Sequence, residues 1–111
     1  MRAIHYAGED LLTGSLIADA VLNYAQALAQ SDSSDTVDIP VVGSGGAVVS
    51  STFLLGPASQ LVAVETPDYE GEELEDSAVV ARLDELASQI SHPVAMPVAA
   101  ESIPDGADQE F

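Results

Sequence analysis

Apolar residues at Leu12, Leu16, Ile17, Ala20, Val21, Tyr24, Ala27 and Leu28 fall at the spacing of one helix face, with Asp19, Asn23, Gln26 and Gln30 opposite. This predicts an amphipathic helix over 12–30. Thr13 or Asp10 is its expected cap, and Glu9 and Asp10 sit where a helix dipole stabilises carboxylates. The run from Ser31 to Asp35 ends it, because such side chains compete for backbone hydrogen bonds. A second stripe, Val79, Val80, Leu83, Leu86, Ala87 and Ile90, predicts a helix over 77–91.

Between and before the helices the period changes to two. Ile4 and Tyr6 alternate with His5, consistent with a short strand over 2–6, and Gly8 breaks it. Val37, Ile39 and Val41 alternate with Asp38 and Pro40 over 36–42, a half-buried strand. Pro40 must lie at an edge or turn its missing donor away from the ladder. Gly43-Ser44-Gly45-Gly46 is a turn, 47–55 a longer strand, Gly56-Pro57-Ala58-Ser59 a second turn, and 60–66 a third strand of a meander.

The fold class that follows is α+β. The expectation is one small domain over 1–100, with an antiparallel three- to four-stranded sheet and two amphipathic helices on one face, in the order β-α-β-β-β-α. An extended C-terminal arm follows, in which Val94, Met96 and Val98 alternate, and residues 101–111 form an acidic tail. The order over 12–91 resembles that of double-stranded RNA-binding domains. Those depend on basic loops and a basic helix start, and the corresponding regions here are acidic. The likeness is therefore architectural only.

Charge sharpens this picture. Nineteen Asp and Glu face two arginines, Arg2 and Arg82, with no lysine, for a formal net charge of -17. Phosphate-backbone binding is excluded, since it rests on Lys and Arg displacing counterions, and anionic membranes are disfavoured. Against this charge, residues 39–64 carry none at all. Such a span is expected in the interior or in an interface, with 47–55 the central strand covered on both sides. Its glycines and prolines argue against one membrane-crossing helix. The span ends at Glu65, which opens a connector holding Glu65, Asp68, Glu70, Glu72, Glu73, Glu75 and Asp76. These seven carboxylates are the candidate partner-binding surface.

Candidate chemistry is sparse. No cysteine is present, so thiol, disulfide and cysteine-metal chemistry are excluded. The glycine cluster lacks the lysine of a phosphate loop, Ser44 lacks the GxSxG context, and Gly71 does not sit in a calcium-loop register. His5 and His92 have no HExxH or HxxxH partner, although Glu9 or Asp10 is close enough in sequence to orient His5. No cofactor or metal is expected.

The reading that follows is a non-enzymatic structural or interaction protein that self-associates as a homo-oligomer, most simply a dimer, through a sheet edge or an apolar surface. One alternative is an acidic decoy that mimics nucleic acid or neutralises a basic protein in the manner of an antitoxin; another is an enzyme built on His5 with Glu9 or Asp10. A cytoplasmic location is expected, because no apolar signal core precedes Glu9.

Overall fold

The computed structural model describes residues 1–91. The expected arm and tail, with Val94, Met96, Val98 and residues 101–111, lie outside the described residues. The class is α+β, with two α-helices and five strands among the described residues, in antiparallel sheets of three and two strands.

The first strand, β1 (Arg2–Tyr6), turns directly into β2 (Glu9–Thr13). Ala7 and Gly8 both have positive φ, 54° and 82°, as the two central residues of a tight hairpin require. Glu9 and Asp10 are therefore strand residues facing Tyr6 and His5, not the entry of a helix. Leu12, expected on the helix face, belongs to the same strand.

Helix α1 (Ser15–Gln30) starts three residues later than predicted. Neither Thr13 nor Asp10 caps it: Gly14 occupies the cap position, and the Ser15 N–H is instead accepted by Glu73 Oε2 at 2.6 Å. Ile17, Ala20, Val21, Tyr24, Ala27 and Leu28 face the core as the stripe predicted. Leu16 does not; it is 65% exposed.

Strand β3 (Asp35–Val42) buries Val37, Ile39 and Val41 and pairs antiparallel with β4 (Val48–Leu55). The turn between them runs through Gly45 and Gly46, both with positive φ. Pro40 faces Ser50. Its carbonyl accepts the Thr13 hydroxyl at 2.7 Å, from β2. In an extended strand the N–H and C=O of one residue point to the same side. The donor that Pro40 lacks would therefore face β2, and the β3–β4 ladder loses nothing.

The meander ends there. Strand β5 (Leu61–Glu65) pairs with β1, not with β4, giving the order β2-β1-β5 beside a separate β3-β4 pair. The 56–60 loop is pinned by Ser59, whose hydroxyl accepts the Gly56 N–H at 2.8 Å and meets Tyr6 Oη at 3.0 Å. This anchors the start of β5 beside β1. The central strand of the larger sheet is thus β1, and β4 lies at an edge.

Helix α2 (Ser77–Ser91) packs on α1, contributing Leu83 and Ala87 to a core shared with Ile4, Ile17, Leu28, Ile39 and Leu55. Among the described residues no helix is long and apolar enough to cross a membrane.

Candidate interaction surfaces

The seven acids of the connector divide by what they touch. Glu73 Oε1 lies 2.6 Å from the Met1 ammonium, while its other oxygen holds the start of α1. The ammonium and the Ser15 N–H hold the Glu73 carboxyl below the usual carboxylate range. The dipole that Glu73 complements is therefore that of α1, not of the adjacent α2. Asp76 caps α2 through Oδ1, which accepts the Val79 N–H at 3.1 Å. Glu65 lies 3.6 Å from Arg2 Nε, and Arg2 also pairs with Asp19 at 2.7 Å. Asp68, Glu70, Glu72 and Glu75 are exposed, with no ion-pair partner among the described residues. Three of the seven are thus used inside the molecule. The other four face solvent.

Arg82 and Glu85 lie one helical turn apart, yet no ion pair joins them among the described residues. It lines a cleft with Asp35 and Asp38. There Tyr24 Oη donates to Asp35 Oδ2 at 2.5 Å, and burial together with that carboxylate pushes the phenol up to about 12. Tyr24 thus stays protonated as a tie between α1 and β3.

His5 Nδ1 and Asp10 Oδ1 do meet, at 2.5 Å, because the hairpin register sets them opposite one another. The pair stands in the open: His5 is 45% and Asp10 72% exposed in side-chain area, outside the depressions lined by Tyr6 and by Arg82. Among the described residues no group of three or more His, Asp and Glu side chains converges on a metal position.

The charge-free span has a different fate from the one composition suggested. Strand β4 is not covered on both sides. Its buried side is the one carrying Leu55 and part of Phe53, whereas Val48, Ser50, Thr52 and Leu54 stand in solvent. Val48 is 57% and Leu54 56% exposed. On the same face β3 offers Thr36, Asp38, Pro40 and Val42, and the Thr52 hydroxyl donates to Asp38, the one acid there. On the other sheet Val62 and Val64 are exposed as well, at 58% and 46%.

The outer edge of β4 is open in the same region. The parity of the ladder follows from the Gly43 N–H bonding the Ala47 carbonyl at 2.7 Å, which makes odd-numbered residues of β3 and β4 the pairs that exchange hydrogen bonds. The even-numbered groups of β4 then point outward. At one end the Tyr6 hydroxyl donates to the outward Leu54 carbonyl. From Val48 to Thr52 no strand is paired to this edge among the described residues. No signal in the sequence marked it, because edge or centre is decided by which distant strand β5 joins. No family model, curated protein or solved structure matches this chain.

Proposed function

We propose that this protein is a non-enzymatic interaction module that self-associates through the neutral edge and face of β4. The observation that carries the reading is an eight-residue edge strand without charge, proline or bulge, in a chain of formal net charge -17. Folded proteins blunt open edges with lysine, inward-pointing charges or proline, because unpaired N–H and C=O groups template pairing with another chain. Here none of those devices is on β4. Its outward face carries no charge of its own, with Asp38 of β3 the one acid beside it, so repulsion between like-charged copies is reduced there. A cytoplasmic place of action belongs to the same reading.

Light scattering across the micromolar range tests it. The chain is expected to dimerise, more tightly as salt screens the repulsion between acidic copies. Ser50→Lys, at an exposed position on the outward edge, is expected to weaken the dimer at least tenfold while the circular dichroism spectrum is kept. A monomer at every concentration and salt would remove the reading. Weight would then move to an acidic surface for a basic protein, which rests on Asp68, Glu70, Glu72 and Glu75.

A further inference from the structure

Resting on that reading, we infer that the partner of β4 is the β4 strand of a second copy, paired antiparallel about a two-fold axis at Ser50. The register is set by which backbone groups are open. Val48, Ser50 and Thr52 present outward N–H and C=O groups, as the ladder parity requires. Beyond Thr52 the next outward carbonyl, that of Leu54, is occupied by the Tyr6 hydroxyl, with Ser59 behind it. Before Val48 the strand ends, and Gly46 has φ 84°, outside any extended ladder. Among the described residues the open stretch is therefore 48–52, and its centre is Ser50.

A two-fold pairing centred there sets Val48 opposite the partner's Thr52 and Ser50 opposite its own copy. Each of these facing pairs exchanges both of its hydrogen bonds. A shift of the centre to Val49 would match Thr52 with Gly46, and a shift to Ser51 would match Val48 with the covered Leu54. Either shift loses bonding pairs. The centred register uses every open group and leaves none unmatched. It also juxtaposes only Val, Ser and Thr side chains on the solvent face, with no carboxylate in the strip. Tyr6 acts as the stop that fixes the frame.

The absence of native cysteine makes the test simple. In the pairing proposed, the two Ser50 Cα atoms are about 5.5 Å apart, inside the roughly 4.4–6.8 Å that a disulfide spans. The full chain with Ser50→Cys, under mild oxidation at micromolar concentration, is expected to cross-link at least tenfold faster than Ser51→Cys or Val62→Cys. The double variant Val48→Cys, Thr52→Cys is expected to cross-link as Ser50→Cys does. A dimer by light scattering whose Ser50→Cys form cross-links no faster than Ser51→Cys or Val62→Cys would overturn the register and leave self-association standing. A wild-type chain that is monomeric throughout would overturn both.

Discussion

Replacing Gly14 with alanine is expected to destabilise the fold by about 3 kcal/mol, and to lower Tm by roughly 10–20 °C. The backbone at Gly14 has ordinary extended angles, φ -68° and ψ 152°, so its need for glycine is not conformational. The need is space. A Cβ there would stand 1.7 Å from the Leu74 carbonyl oxygen and 2.9 Å from its carbon. Both are main-chain atoms and cannot rotate aside as a side chain would. The acidic connector would have to lift from the start of α1, taking Glu73 away from Ser15. Urea unfolding followed by circular dichroism measures the loss. A change below about 0.5 kcal/mol would mean that the connector is not seated against Gly14.

Glu73→Ala is expected to cost about 2 kcal/mol, toward the middle of the range for hydrogen bonds to charged groups because the carboxylate is partly exposed. One side chain holds two separate parts of the chain: the Met1 ammonium and the first free N–H of α1. Met1 itself is tied further, its carbonyl accepting from Thr66 and its thioether lying 3.1 Å from the Leu74 amide nitrogen. Adding residues ahead of Met1 removes the ammonium and is expected to cost less, because the Ser15 N–H still bonds Glu73. The pH dependence follows from the depressed Glu73 carboxyl. The unfolded chain takes up this proton at a higher pH than the folded one, so the contribution is fully present above the ordinary carboxylate range and is lost as pH falls through the lower folded value. Unfolding measurements from pH 7 to pH 3 should therefore show wild type losing its advantage over Glu73→Ala. An advantage unchanged at acid pH would contradict the ion pair.

What was legible in the sequence was what local periodicity carries. The stripes of α1 and α2 and the alternation of β3 placed Ile17, Val21, Leu28, Val37, Ile39 and Leu83 in the core, where they are. What was not legible has specific causes. The first hairpin turns at Ala7-Gly8, and alanine at φ 54° is not a turn signal, so β2 read as the entry of a helix. The pairing of β5 with β1 joins residues some sixty apart, and no local pattern encodes it. With that pairing unknown, β4 passed for a central strand, and its neutrality was ascribed to burial.

The candidate acidic surface fared similarly. Glu73 was read as part of a partner-binding surface, whereas the fold uses it at the start of α1 and at Met1. Asp76, placed in the same candidate surface, is instead the cap of α2. His5 and Asp10 do meet, as their closeness in sequence allowed, on an exposed hairpin. Pro40 was expected at an edge or with its missing donor turned away from the ladder, and the donor side does face away from β4. That Thr13 would meet its carbonyl was not visible.

The claim that the open edge of β4 is where two copies join is tested most directly by amide hydrogen exchange at two protein concentrations. If the account holds, the Val48, Ser50 and Thr52 amides exchange freely in dilute solution and become protected as concentration rises, while Val49 and Ser51, bonded within the β3–β4 ladder, are protected throughout. Rapid exchange of Ser50 and Thr52 at every concentration would contradict it.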